Sequence, residues 1–422
     1  MTQATRPEWL DKLELGLDQL PEVTLNLAIG MQQQGLGQEC CVQIFGSDDV
    51  NSWAANQAER FAKGVAKRGG TILAVNPPPG SGLMRRAAEA ARGHDGSRAI
   101  VIEASDSHHA ANDNGFAYHG FVESEAGRNR LGRDACQASV FFAGGLPTVL
   151  RLLDLMIDKR AGCLPHEHEI VLVGEWGTTL VQCLFQHAVK HGVMSAQELS
   201  WFKTVPDARQ ALKLVEKMPA PRPIRERLSV QAARRFVDAL RADIAALEEG
   251  LRDHPVYLTV LGSGSANLPD CVRERVRRQL TEVLVDGVWE EAVAQGGFDG
   301  IMGVTAEIAK RLRRSISLRY ILEGRKQAVN DHHHVLIQCL CLEARLAALM
   351  AGRHRLHLIG GVGTFEELFR LEQTDGCRIL VNDDGYWNRP LELVVYLFDE
   401  GLIDEKERGT FKPVNHPLEA MV

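Results

Sequence analysis

The 422-residue chain contains no run of about 18 apolar residues, so no membrane-spanning helix is expected. It has no basic excess: 48 Lys and Arg stand against 55 Asp and Glu, a formal charge of −7. That balance offers no electrostatic footprint for nucleic acid. The opening residues, MTQATRPEWLDKLELG, lack the apolar core of a signal peptide. Cysteine pairing is not evident either. The nine cysteines (Cys40, Cys41, Cys136, Cys163, Cys183, Cys271, Cys339, Cys341 and Cys377) are odd in number and scattered mostly through apolar stretches. Reduced thiols in a cytoplasmic setting are therefore expected rather than a disulfide framework. What remains is the composition of a globular protein, 45% hydrophobic and 24% charged, long enough for more than one domain.

The chain reads as written twice. An apolar run followed by Gly-Ser occurs in "VQIFGSDD" (42–49) and again in "LTVLGSGS" (258–265), with Gly46 and Gly262 216 positions apart. "GSGLMRRAAEAA" (80–91) resembles "FDGIMGVTAEIA" (298–309), where Gly82 and Gly300 lie 218 apart. "FFAGGLPTVLRLLDL" (141–155) resembles "HLIGGVGTFEELFRL" (357–371), and Gly144 and Gly360 are again 216 apart. Matches in one order at a nearly constant offset indicate an internal duplication. Two domains, 1–218 and 219–422, are expected, joined near "KMPAPRPIRERL" (217–228), whose alternating prolines cannot sustain a helix. The following stretch reads as an amphipathic helix capped by Ser229, with Phe236, Val237, Leu240, Ile244, Leu247 and Leu251 on its apolar face.

In the second copy, strands "VYLTVLG", "EAVAQGG", "RYILEG", "RLHLIGG" and "CRILVN" are expected to alternate with helices at 270–284, 302–313, 335–351, 365–373 and 389–401. Continuous apolar strands between amphipathic helices define an α/β fold of two tandem Rossmann-like, doubly wound parallel sheets. Ligands bind such sheets at the carboxyl ends of the strands. The Gly-rich turns fall there: Gly262 and Ser263 in "GSGS", Gly296 and Gly297 in "QGGFDGIMG" with Met302 and Gly303 beyond them, and Gly360, Gly361 and Gly363 before a helix expected to start near Thr364 or Phe365. Glycines let backbone N–H groups approach a ligand, and a helix N-terminus suits a phosphate. The Thr364 hydroxyl either bonds the ligand or caps the helix. Three such turns at one sheet edge fit a nucleotide. Glu366 and Glu367 also suit a helix N-terminus on their own, at about 0.3–1 kcal/mol each. Beside a phosphate, however, a carboxylate is repelled unless it faces a developing cation.

"GGVGTFEE" closely resembles the PGGxGTxxE signature of the LONELY GUY phosphoribohydrolase family, often labelled lysine decarboxylases. "GGFDGIMGVTAEIA" resembles that family's second glycine-rich signature, and "DDGYWNRPLELVVYLFDEGLI" (383–403) its closing segment. The resemblance spans 256–422 and, weakened, about 40–215. It implies hydrolysis of the N-glycosidic bond of a nucleoside 5′-monophosphate to free base and ribose 5-phosphate, with no cofactor. It also implies catalytic roles for Arg345, fifteen residues before Gly360, and for Glu367 with its neighbour Glu366. Such proteins typically pair as dimers, so the tandem chain is expected to fold as a pseudo-dimer, with further homo-oligomerisation possible. The family's proline is Ile359 here, and the lysine that usually follows the motif arginine is Leu346. "GRK" at 324–326 is a rival for the arginine role, at too great a distance from the turn.

The first copy has Pro147 and Arg151 where the second has Gly363 and Glu367. Proline removes an amide that a phosphate needs, and arginine reverses the charge beside an oxocarbenium ion. Arg128 and Arg130 stand near the place of Arg345. This copy reads as degenerate. "DHHHVLIQCLC" (331–341) and "CLPHEH" (163–168) crowd His and Cys together, but adjacent histidines point in different directions and no metal is expected. The His332–His334 cluster could instead line the pocket. Trp176 and "SHH" (107–109) carry no readable function, and "MRRAAEAARGHDGSR" (84–98) reads as a solvated helix face. The alternative to hydrolysis is a non-catalytic nucleotide sensor or scaffold. No pyridoxal lysine motif supports a decarboxylase.

Overall fold

The computed structural model describes residues 8–36, 40–47, 52–75, 82–93, 98–103, 116, 118–218, 222–252, 256–264, 268–286, 292–296, 299–312, 315–320, 335–352, 354–370, 378–382 and 385–415. Two seven-stranded sheets organise them. The first contains β1 (Cys41–Phe45), β2 (Thr71–Val75), β3 (Ala99–Glu103), β4 (Tyr118–Phe121), β5 (Ala138–Phe141), β6 (Glu169–Val173) and β7 (Phe202–Val205), in the order 4-3-2-1-5-6-7. The second contains β8 (Val256–Leu261), β9 (Ala292–Gln295), β10 (Ser315–Tyr320), β11 (Val335–Cys339), β12 (His354–His357), β13 (Arg378–Val381) and β14 (Phe411–Val414), in the order 11-10-9-8-12-13-14. Every pairing in both is parallel. Strand order reverses between β1 and β5 and between β8 and β12, which makes each of these a topological switch point where ligands bind. The chain is thus an α/β protein of two doubly wound parallel sheets with one strand order.

The expected elements need several corrections: the strand expected over 319–324 is placed at Ser315–Tyr320, with 321–324 outside the described residues, the strand Phe411–Val414 was not expected, and the proline-spaced joint holds a helical turn at Ile224–Arg227. The stretch 335–351 was expected as one helix. Val335–Cys339 is an edge strand, and Asp243 accepts hydrogen bonds from the Leu340 and Cys341 amides at 2.7 and 2.6 Å. The helix follows only at Leu342–Met350. A short apolar run at a sheet edge does not reveal its own period, and the two-residue break at 340–341 carries no glycine or proline. The helix expected from Thr364 or Phe365 starts earlier, at Val362, with Gly361 as its N-cap. Ser229 does cap Val230–Leu251, its Oγ accepting from the Ala232 amide at 3.3 Å.

The two halves share a core. Helix Val362–Phe369 packs on helix Leu146–Ala161, and one apolar cluster runs from Phe141, Leu153 and Trp176 to Phe365, Leu393 and Phe411. The contact is reciprocal. A Cβ on Gly145 would come within 2.3 Å of the Leu402 carbonyl oxygen, and one on Gly361 within 2.3 Å of the Val193 carbonyl oxygen. Each helix N-terminus is therefore pressed against the opposite half by a glycine that no other residue can replace without displacing backbone. Among the described residues eight cysteines are free, Cys377 lying outside them; Cys41 and Cys136 lie with sulfurs 3.4 Å apart. No described helix is long and apolar enough to cross a membrane.

Candidate functional site

Helix Val362–Phe369 begins where the chain leaves β12, at the second switch point. The turn after β8 is tied to it: the Ser263 amide donates to the Ile359 carbonyl at 2.9 Å, and the Ile301 amide donates to the Ser263 carbonyl at 2.9 Å. This brings Gly262 and Ser263, Gly360 and Gly361, and the start of helix Ile301–Arg311 with Met302 and Gly303 to one sheet edge. All residues of helix Val362–Phe369 are buried except Gly363, and around the place where a Cβ would sit on Gly363 there is no atom within 4 Å. The one residue without a side chain is thus also the one facing open space, and its amide lies in the first turn, where amides lack intrahelical partners. The Thr364 hydroxyl folds back on Gly360, only 2.0 Å from where a Cβ would stand. The helix has no side-chain cap, so the capping alternative for Thr364 is not realised. Gly297 lies outside the described residues, as do His332–His334, the 324–326 segment and "SHH" 107–109.

Two glutamates on a helix buried everywhere but at Gly363 are costly unless each has a charged partner. They have different ones. Glu366 pairs with Arg370 one turn on, at 2.6 Å, and Arg370 reaches across to Asp154 of the first half at 3.0 Å. Glu367 faces Arg345, with guanidinium nitrogen and carboxylate oxygen 3.8 Å apart and both side chains under a tenth exposed. At that distance the charges attract without a hydrogen bond. The Arg345 guanidinium crosses over Gly296: a Cβ there would meet its nitrogen at 2.5 Å and the Met302 sulfur at 2.3 Å. Arg345, Glu367, Gly296 and Met302 therefore converge, whereas Glu366 turns away to Arg370. Burial pushes the Glu367 carboxyl up to about 8, against the pull of Arg345 and with the push of Glu366. Burial likewise raises Glu366 to about 7, Arg370 opposing and Asp154 assisting. Raised carboxyls on opposing guanidinium groups mark a candidate site.

Asp154 and Arg370 were not among the expected site residues. They lie 216 positions apart, the offset at which the motifs of the two halves resemble each other, and they meet where the two halves pack together. Arg151, at the place of Glu367, pairs with Glu125 and, at 3.2 Å, with Asp154. A chain of alternating charge, Glu125–Arg151–Asp154–Arg370–Glu366, thereby crosses from one half to the other. Arg128 is buried, with a guanidinium nitrogen donating to the Val122 and Glu123 carbonyls at 2.6 Å each. Arg130 lies over the Phe236 ring. Leu346, next to Arg345, faces a different space: a cavity of about 410 Å³ between the halves, shared with Asn129, Asp154, Glu343 and Arg370. Arg345 and Glu367 line none of the three cavities of about 350–540 Å³. His168 of "CLPHEH" is buried and lies 3.0 Å from the Ser139 hydroxyl. Arg85, expected on a solvated face, pairs at 2.9 Å with the buried Glu103, which His119 also contacts at 3.0 Å.

Residues 286–422 match a family model described as "Possible lysine decarboxylase", the label attached to the LONELY GUY-like signatures. No curated protein matches the chain. Among solved structures, the molybdenum cofactor binding protein of Rippkaea orientalis overlaps at a TM-score of 0.33 with 13% identity, over 42% of this chain and 96% of that one. The Moco carrier protein of Chlamydomonas reinhardtii gives 0.32 and 12%, over 43% and 98%. DNA processing protein A of Helicobacter pylori gives 0.30 and 13%, over 43% and 81%. Overlaps this low carry no weight for function.

Proposed function

We propose that the second half hydrolyses the N-glycosidic bond of a nucleoside 5′-monophosphate, an AMP-like substrate, through Arg345 and Glu367. The observation that carries this reading is the pairing of a buried guanidinium and a buried carboxylate 3.8 Å apart, at the edge where glycine-rich turns meet a helix N-terminus. The phosphate docks on the free amides near Gly361 and Gly363, with the Thr364 hydroxyl beside it. Arg345 holds the sugar-phosphate end. As the C1′–N bond breaks, the electron pair leaves with the base and positive charge builds on the ribose. The Glu367 carboxylate stabilises that charge and takes the proton of the attacking water. Water oxygen bonds C1′ and keeps its other proton, the proton taken by Glu367 passes to the departing base, and free base and ribose 5-phosphate remain.

The reading extends to the whole chain as a covalent pseudo-dimer, residues 1–218 supplying a degenerate copy and 219–422 the working one. The first copy lost its carboxylate to Arg151 and its amide to Pro147, and it contributes Asp154 to hold Arg370. A second reading, a nucleotide sensor that binds without cleaving, is favoured by the depth at which Glu367 is buried, 4% exposed. Incubating the full chain with each nucleoside 5′-monophosphate and quantifying released base separates them. Release fits the hydrolase; saturable binding without release fits the sensor.

A further inference from the structure

At the carboxyl ends of β5, β6 and β7, on the sheet of the first half, lies a second cavity of about 540 Å³. Its walls are aromatic: Trp53, Trp176 and Tyr396. Its charge is of one sign, from Glu175 and Glu400, and no Lys, Arg or His lines it among the described residues. Tyr396 and Glu400 come from the second half and the rest from the first, so the cavity exists only because the halves dock.

The walls are held in place by the fold. Trp176 donates its indole N–H to the Gly144 carbonyl at 2.8 Å, which fixes the ring and uses up its donor. Gly174 follows β6 with φ +83°, and a Cβ there would meet the Trp53 ring at 2.8 Å. Only glycine lets the indole lie against that turn. Trp53 is 45% exposed, an unusual exposure for so large an apolar side chain seated on a dedicated glycine. Tyr396 is raised to about 12, first by burial and then by the fields of Glu400 and Glu175, so both carboxylates act on the same space.

The other half supplies a control. The Leu402 carbonyl abuts Gly145 as the Val193 carbonyl abuts Gly361. Counting back two and six residues from these carbonyls, Glu400 and Tyr396 correspond to His191 and His187. On the second half that location is filled. The His187 ring contacts Tyr386 with centroids 4.9 Å apart, its Nε2 lies 2.7 Å from the Tyr386 carbonyl, and His191 packs beside it. An open, acidic, aromatic version on one side only is therefore not dictated by the shared fold.

We infer that this cavity is a binding site for an organic cation, a small molecule bearing an alkylated ammonium group held against Trp53 and Tyr396, with the buried Trp176 backing the wall, and neutralised by Glu175 and Glu400. Indole and phenol faces attract ammonium groups, the volume suits a small ligand, and the carboxylates give the sign. This site is independent of the hydrolytic reading; it stands or falls without any turnover.

Titration calorimetry on the full chain tests it, with choline as the probe, 3,3-dimethylbutanol as its neutral isostere and putrescine as a primary ammonium. Choline is expected to bind with Kd of order 1 mM or tighter and to alter tryptophan fluorescence, the isostere at least about five-fold more weakly. Trp53→Ala and Glu400→Gln, both at exposed positions, should each weaken choline about five-fold or more while circular dichroism is unchanged. Should either variant misfold, the other still decides. Equal binding of the isostere, no choline heat at concentrations in the tens of millimolar, or a preference for putrescine over choline would each overturn the assignment.

Discussion

Replacing Glu367 by glutamine should stabilise the protein in a strictly pH-dependent way. The carboxyl is 4% exposed, and burial raises it from the ordinary 4.5 to about 8. Below pH 4.5 folded and unfolded chains both hold the proton and nothing is lost. Between pH 4.5 and about 8 the unfolded chain has released it while the folded chain still binds it, so stability falls as pH rises. Each pH unit in that window removes about 1.4 kcal/mol, with a ceiling near 5 kcal/mol across it. Above pH 8 the loss is complete and constant. Glutamine mimics the neutral acid the wild type already carries at low pH, so its curve lacks this decline. Thermal unfolding at half-unit steps from pH 4 to 8.5 should show a variant-minus-wild-type gap near zero at pH 4. The gap should widen by roughly 10 °C toward pH 8, since about 1 kcal/mol moves Tm by about 2–4 °C in a unit of about 200 residues. A gap that stays constant across the range, or a variant less stable at pH 8, would refute the claim that burial governs this carboxyl.

Four further outcomes follow from the same geometry. Gly361→Ala and Gly145→Ala each place a Cβ 2.3 Å from a backbone oxygen of the other half and should cost about 1–3 kcal/mol in denaturant unfolding. Gly363→Ala meets nothing within 4 Å, so it should leave stability equal or higher, since alanine favours helix by about 1 kcal/mol, yet weaken nucleotide binding in calorimetry. Arg370→Ala strands the Glu366 carboxylate and should cost about 3–5 kcal/mol at pH 8; Asp154→Asn should cost less and let Glu366 ionise at lower pH, read by carbon-13 NMR of labelled glutamate. If the Glu367 carboxylate is the active form, kcat/KM for AMP should rise with pH up to about 8 and then level, whereas a falling limb through that range would assign it as a proton donor instead.

Parallel-sheet architecture is readable in this sequence because buried strands are continuous apolar runs between amphipathic helices, as in "LTVLG" and "HLIGG". The edge strand Val335–Cys339 is hard to read because only two of its five residues are buried and a helix begins after a two-residue break. The pair Arg345 and Glu367 is singled out by the family resemblance alone, and the structure places the two side chains 3.8 Å apart. Asp154 is not singled out, because its partner lies 216 residues away and neither residue is unusual locally. The 216-residue separation equals the offset between the resembling motifs, but that offset alone does not say which positions touch. The difference in role between Glu366 and Glu367 likewise depends on which way each points from a helix whose start only the structure places at Val362.

The most direct test of the central claim is single-turnover analysis of AMP with the wild-type chain and the Glu367→Gln and Arg345→Ala variants, measuring adenine and ribose 5-phosphate together. Equal amounts of both products from the wild type, with at least about a hundred-fold loss in each variant, are predicted. AMP that binds but is recovered intact from the wild type, or turnover that survives Glu367→Gln, would contradict it.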